Sequence, residues 1–292
     1  MNPTLSGIAA IIIFSFGTLL FALGQSIPSF QFAAISFFLG YLSITIFQKC
    51  RGRALLSDWR QPLSAYMLVL AGVCGNNIIM LFAFRNGPAF GVNILNYLWP
   101  LFIVLFAFYF DRGKTKPHQI IGVLCGFCGM IIIFLPQLFE QDLASFHLGY
   151  VLAVIGAIIW ALYSTKAKDY NYPAEFLAPV MLIFAVTSAV FHFIFEQTIW
   201  PTTQVWLVVI ISGLTRFSYV LWDYGVRNGN AVMLSSLAYF TPLLSTLLFL
   251  AFGFLPATGN IAFAAMLIIL GALIANGQPI LKSLLKRRGT HK

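Results

Sequence analysis

The side chains able to do chemistry are few in this 292-residue chain, and they stand inside long apolar runs. The stretch NILNYLWPLF, Asn93 to Phe102, puts two amides, a phenol, an indole and a proline into one such run. Asn76 and Asn77 interrupt another. Amides and aromatic faces are recognition groups: the first hydrogen-bond a polar ligand, the second pack on an apolar one. Arg216 is the only charge near the middle of an apolar run. At a bilayer centre an arginine costs about 2.5–3.5 kcal/mol on the insertion scale, so it faces protein or water. A substrate carboxylate is one partner for it, and a structural contact is the other. Asp223 lies seven residues further on, about 10 Å along a helix, too far for a direct ion pair with Arg216. It is expected at the helix end, near Arg227.

Other constellations carry less. His192 and Glu196 are one helical turn apart and read as an exposed interfacial pair rather than a proton relay. The spacing of Cys125-Gly-Phe-Cys128 is that of a redox motif, but no activating charge stands near it. Gly122 and Gly126 beside it make a small-xxx-small face that lets helices approach, so packing is the reading. Of the eight carboxylates only Asp223 falls within a predicted span. No nucleophile elbow, phosphate-binding glycine loop or metal-ligand cluster is legible. The expectation is no catalytic residue, no metal and no cofactor, hence not an enzyme.

The elements that must position these groups follow from composition. The chain is 60% hydrophobic and 9% charged, against about 25% charged in soluble proteins. A span needs about 20 apolar residues, and the pattern predicts ten of them. They fall at roughly 7–24, 30–47, 63–84, 88–110, 119–135, 148–165, 176–195, 205–226, 231–253 and 260–280. The first run has no Lys or Arg before it and reads as a retained helix, not a signal peptide. The four cysteines lie in or beside spans and form no disulfide framework. The loops after spans two, four, six and eight hold four, three, two and one Lys or Arg, and the C-terminal tail holds five. Arg85 stands alone on the other side. The positive-inside rule then places both termini in the cytoplasm, and the net charge of +9 reports topology rather than nucleic-acid binding.

The chain also repeats itself. RNGPAFGVNILNYLWPL, Arg85 to Leu101, aligns without a gap to RNGNAVMLSSLAYFTPL, Arg227 to Leu243, at an offset of 142 with eight identities in seventeen positions. Gly7 and Gly149, and Gly129 and Gly271, are related by the same offset. Residues 1–142 and 143–284 read as two five-helix repeats, followed by a basic cytoplasmic tail at 285–292. Five is odd, so the second repeat is inverted, an organisation typical of secondary transporters with a site at the midplane. Pro100 and Pro242 fall at the centres of spans four and nine. Each removes a helical hydrogen bond and frees a carbonyl, that of Asn96 or Ala238. Such a carbonyl is tolerated only where protein or water satisfies it. The pairing with Tyr97 and Tyr239 favours a cavity over a plain kink. Trp99 and Trp160 sit deep in the membrane rather than at its interface, with Tyr163 one turn beyond Trp160.

NYLWPLFIVLFA, GAIIWALYSTKAK and GNAVMLSSLAYFTPLLS are similar to the drug/metabolite transporter superfamily, EamA-type, and within it to the YddG-like branch of aromatic-amino-acid exporters. The resemblance covers nearly the whole chain. It implies export of amino acids across the bacterial inner membrane. It also implies a central cavity to which Asn96, Tyr97, Trp99, Trp160, Tyr163, Tyr219, Trp222 and Tyr239 contribute. Relatives usually carry a Trp in the first helix, where this chain reads Phe14-Ser15-Phe16-Gly17, and tend to lack an arginine where Arg216 stands. The expectation is an all-α, ten-span exporter of aromatic or hydrophobic amino acids, acting as a monomer in the lipid bilayer without nucleic-acid partners. It would work by alternating access, with Pro100 and Pro242 as gating kinks and Arg216 among the substrate contacts. The alternatives are an exporter of drugs or other metabolites, and a non-transporting membrane scaffold.

Overall fold

A computed structural model describes residues 2–24, 26–52, 59–111, 115–140, 147–254 and 259–289, apart from the side chains of residues 18, 21, 22, 89, 90, 136–140 and 277–289. Among the described residues the chain is helical with no strand. We number ten helices: α1 Pro3–Leu23, α2 Ser29–Cys50, α3 Leu63–Arg85, α4 Ala89–Asn96 continued by Trp99–Phe110, and α5 Pro117–Glu140. The second set is α6 Leu148–Lys166, α7 Leu177–Phe195, α8 Thr203–Thr215 continued by Ser218–Asn228, α9 Ala231–Ala238 continued by Phe240–Ala251, and α10 Gly259–Gly289.

Nine of these are long and apolar enough to cross a membrane by length and composition. The remaining one, α1, has 21 residues, or about 30 Å of helix, and its fully described apolar part is Pro3–Gly17. Two boundaries differ from expectation. Helix α5 continues through Pro136 to Glu140 instead of stopping near 135, and α10 runs to Gly289. The predicted tail 285–292 therefore begins inside a helix. Its side chains, and all of 290–292, lie outside the described residues.

The packing obeys the offset of 142. The most extensive helix pairs are α5 with α10, α2 with α7, α1 with α8, and α3 with α6. Shifting by 142 converts the α1–α8 pair into the α6–α3 pair and returns the other two to themselves. The contacts match residue by residue. A Cβ on Gly225 would lie 2.8 Å from the Cα of Gly7, and a Cβ on Gly149 would lie 2.4 Å from the Ala83 carbonyl and 2.7 Å from the Gly87 amide. In lipid no hydrophobic force drives one helix onto another, so close backbone approach at small residues supplies the packing energy.

The α5–α10 seam shows the same device. A Cβ on Gly122 would meet the Gly271 carbonyl at 2.4 Å, and one on Gly271 would meet the Gly122 carbonyl at 2.5 Å. This is the role expected for the glycines around Cys125 and Cys128, both of which are free thiols. A backbone carbonyl cannot swing aside as a side chain can. Gly122→Leu is therefore expected to destabilise the protein by about 1–3 kcal/mol in thermal unfolding of the purified protein. Gly17→Ala, whose Cβ meets nothing within 4 Å, is expected to stay within about 0.5 kcal/mol.

Candidate functional site

Four helices are broken at mid-length, and the breaks are paired by the repeat. In α4 the helix yields at Tyr97 and Leu98, just before Pro100, and in α9 it yields at Tyr239, just before Pro242. Those two follow from the prolines. The other two have no proline. In α3 the turn Leu70–Gly75 is wound as π-helix. In α8 the turn at Arg216 and Phe217 tightens, with Arg216, Phe217, Tyr219 and Val220 amides each donating three residues back. The offset relates Cys74 to Arg216 and Gly75 to Phe217. Local π turns recur at functional sites, and nothing in the residue types announced these two.

All four of these helices contribute to the wall of one cavity of about 300 Å³, at the lower end of the range for small-molecule sites. Its walls come from α1, α2, α3, α4, α6, α7, α8 and α9. Three pairs of repeat equivalents face it together: Asn76 with Ser218, Asn77 with Tyr219, and Trp99 with Thr241. Asn77 and Tyr219 touch, the Asn77 Nδ2 donating to the tyrosine hydroxyl at 3.2 Å. A residue in contact with its own equivalent lies on the axis that relates the two halves of the packing. The cavity is therefore central to the bundle.

The sequence-derived candidates divide. Asn96, Tyr97, Trp99, Trp160, Arg216 and Tyr219 line the cavity, together with Asn76, Asn77 and Asn93. Tyr163 and Trp222 do not line it. They form the layer beneath, almost wholly buried. Trp222 stacks on Trp160 with ring centroids 6.2 Å apart and 23° between planes, and meets Trp99 edge-on at 5.3 Å. Phe14 on α1 completes this aromatic floor against Trp160, Tyr219 and Trp222. Tyr239 is also buried away from the cavity, over Gly126, where a Cβ would come within 2.7 Å of its ring. The residue equivalent to Gly126 in the other half is Ile268. Tyr97, the counterpart of Tyr239, meets a different neighbour on α5, Phe134, with ring centroids 6.3 Å apart. Pro100 is buried behind the wall. Pro242 borders a second cavity of about 190 Å³ that shares Asn93 and Tyr97 with the first.

Two ionic clusters stand at opposite ends of the bundle. At the end that carries Lys168 and Asp111, which form an ion pair, Asp223 is fully buried under the aromatic floor. The Tyr163 and Tyr172 hydroxyls donate to its Oδ1 at 2.7 and 2.8 Å, and the Arg227 Nε donates to Oδ2 at 2.7 Å. Arg227 also donates to the Tyr172 carbonyl at 2.7 Å and lies over that ring. Burial, then the carboxylate of Asp223, push the Tyr172 hydroxyl above its ordinary range, so it remains a donor. Asp223 thus keeps the Arg227 company expected of it, with two tyrosines added.

At the other end Glu196 accepts from the Phe30 amide at 3.1 Å, the Gln31 amide at 3.2 Å and Arg85 at 3.1 Å, and His192 Nδ1 lies 3.0 Å away. The His192 and Glu196 side chains are 6% and 3% exposed, so the reading of an exposed pair is corrected. The carboxylate is drawn inward because it caps the N-terminus of α2, where unpaired amides and the helix dipole favour an anion.

Arg216 is unlike both clusters. Its Nη2 donates to the Ser36 hydroxyl at 3.3 Å, its guanidinium lies 4.3 Å over the Phe37 ring, and its Nε has no partner. No carboxylate lines the cavity among the described residues. Among those residues no group of three or more His, Cys, Asp or Glu is placed to hold a metal ion.

The chain belongs to the EamA-like transporter family, whose profile matches twice, over residues 2–135 and 147–277. That family is one of transporters, and this chain is accordingly a multi-pass protein of the inner membrane and not an enzyme. It is similar to the aromatic amino acid exporter YddG of Ancylobacter novellus, 31% identical over 278 residues that cover 94% of this chain and 96% of that one. The Escherichia coli protein of the same name is 30% identical over 217 residues, 71% of each chain. The uncharacterized transporter YoaV of Bacillus subtilis is 25% identical over 260 residues, 86% and 85% of the two chains. A solved crystal structure aligns with a TM-score of 0.87 at 30% identity, covering 94% of this chain and 97% of the other.

The Asp223 cluster generates its own prediction. Asp223→Asn would leave Arg227 buried without its counter-charge, a loss of about 3–5 kcal/mol. Tyr172→Phe removes one hydrogen bond to a charged group, about 1.5–3 kcal/mol. Thermal unfolding of the two variants should rank in that order; the reverse ranking would mean the carboxylate is not the hub of the cluster.

Proposed function

We propose that the protein exports aromatic or other hydrophobic amino acids, and that the central cavity is the transport site. The observation that carries this reading is the meeting of aromatic walls, an amide cluster and a guanidinium without a carboxylate partner in one cavity between four broken helices. An amino acid has the matching parts. Its side chain packs on Trp99, Trp160 and Tyr97, its carboxylate pairs with Arg216, and its remaining polar atoms meet Asn96, Asn77 and Tyr219. The names of the relatives support the substrate class.

The movement in this reading is alternating access. Residues 1–142 and 143–284 act as inverted five-helix repeats in a single chain, with both termini in the cytoplasm. The basic loops then put the Asp223 cluster at the cytoplasmic end and Glu196 at the outer end. Tyr163, Trp222 and Tyr172 close the floor of the cavity on the cytoplasmic side, while its lining extends outward to Ser29 and Phe84. This form receives or releases substrate on the outer side. Opening the other way requires the Asp223 contacts between α6, α8 and the segment at Tyr172 to separate. The breaks before Pro100 and Pro242 let the halves of α4 and α9 tilt independently, because a break without a continuous hydrogen-bond ladder bends at little cost. Tyr163, Trp222 and Tyr239 contribute by shaping the layer behind the site.

Counterflow of labelled phenylalanine or tryptophan into proteoliposomes tests this. The wild-type protein is expected to exchange both. Trp99→Ala is expected to lower kcat/KM about 10-fold or more, since a buried aromatic contact is worth about 1.5–3 kcal/mol. Unchanged exchange by Trp99→Ala would place the substrate elsewhere. Exchange of a cationic dye but of no amino acid would favour the drug-export reading, and a folded protein that exchanges nothing would favour a scaffold.

A further inference from the structure

We infer that the cavity selects its cargo by the carboxylate alone: aromatic acids lacking an amino group bind as well as amino acids, and aromatic amines lacking a carboxylate are rejected. This deepens the transport reading of the cavity and rests on it. Arg216 is the only charged side chain among the residues that line the cavity. The carboxylates at either end are fully engaged, Asp223 by two tyrosines and Arg227, and Glu196 by Arg85, His192 and two amides of α2. Neither lines the cavity. The site therefore offers a fixed positive charge to an anion and nothing of opposite sign to an ammonium group.

Arg216 is also held in readiness. Its stem packs on the bare backbone of Gly40, where a Cβ would come within 2.7 Å of the Arg216 Cβ and 3.0 Å of the Met181 sulfur. One turn along the same α2 helix, Ser36 holds Nη2, and Phe37 supports the face of the guanidinium. All of these partners are neutral. A guanidinium half out of water with only neutral contacts gains most from an incoming anion, which it meets through a planar fork suited to a carboxylate. A cation entering the same low-dielectric space meets a like charge at close range, which is repulsive. A zwitterion gains at the carboxylate and leaves its ammonium to Asn and Tyr dipoles, so removing the ammonium loses little.

The test uses three ligands of one shape and three charges: 3-phenylpropionate, phenylalanine and phenethylamine. Binding to the purified protein is read by intrinsic tryptophan fluorescence, since Trp99 and Trp160 face the cavity. The expected result is binding of the first two within about threefold of each other and of the amine at least tenfold more weakly. Arg216→Gln should weaken both acids at least tenfold and strengthen the amine. Arg216→Lys, which keeps the charge without the fork, should preserve the order at reduced affinity, and it carries the test if Arg216→Gln does not fold. An amine that binds wild type as tightly as the acids, an order unchanged in Arg216→Gln, or binding of none of the three would overturn the inference. Counterflow of labelled phenylalanine on the same preparations keeps the two claims apart. Failure of the transport reading shows as absent counterflow, whereas failure of charge selection shows in the binding order.

Discussion

A helix crossing lipid cannot break unless its freed backbone groups find partners, and the rest of this structure follows from that constraint. Four helices change their winding at mid-length, and all four contribute residues to the wall of one central cavity. Two of these changes are imposed by Pro100 and Pro242. The other two, the π turn of α3 and the tightened turn of α8, carry no proline. Gly72 in the π turn lies directly against the Tyr163 ring, where a Cβ would clash at 2.2 Å. Close glycine contacts hold the helices together at both ends of the bundle. Gly149 against Gly87 at one end and Gly7 against Gly225 at the other are these contacts. Asn77 shows how a polar group of such a turn is met beside the cavity: its Nδ2 donates to the Val73 carbonyl of the π turn at 2.7 Å.

Two charges of α8, Asp223 and Arg216, are treated in opposite ways. Asp223 is saturated: two hydroxyls and a guanidinium occupy its oxygens. Arg216, about 10 Å away along the same helix, has neutral partners and an unmatched Nε. A saturated buried ion cluster holds structure together, because removing one member strands the others. An unsatisfied ion beside a cavity carries a penalty that an incoming anion would relieve. The same helix therefore carries a saturated ion cluster at Asp223 and, on the cavity side, a guanidinium without an anionic partner.

Much of this was legible in the sequence, and the parts that were not have physical causes. Hydropathy gave the ten helices, since twenty apolar residues in a row leave few alternatives. The RNGPAF and RNGNAV segments gave the offset, and the packing of Gly7 and Gly149, and of Gly129 and Gly271, obeys it. Six of the nine binding candidates face the cavity because aromatic and amide residues at mid-span have few other uses. Tyr239 does not, although its counterpart Tyr97 does. Tyr239 packs over Gly126 of α5 and Tyr97 beside Phe134 of the same helix, neighbours whose proximity a sequence alone does not state. The turns at Leu70–Gly75 and Arg216 were invisible because hydrogen-bond register without proline is decided by neighbours. Glu196 was misjudged as exposed for the same reason, since the α2 N-terminus that draws it inward is more than 160 residues away.

The central claim is that one cavity is exposed alternately at the two ends of the bundle. Its most direct test is a pair of distance measurements by spin labelling in lipid, in a background without other cysteines. One pair, Asp169→Cys with Asn228→Cys, spans the cytoplasmic end, and the other, Asn86→Cys with Gln204→Cys, spans the outer end; all four positions are exposed. With saturating phenylalanine the account predicts a new, longer distance at the cytoplasmic pair together with a new, shorter distance at the outer pair. Unchanged distributions at both pairs in protein that transports, or lengthening at both ends together, would contradict it.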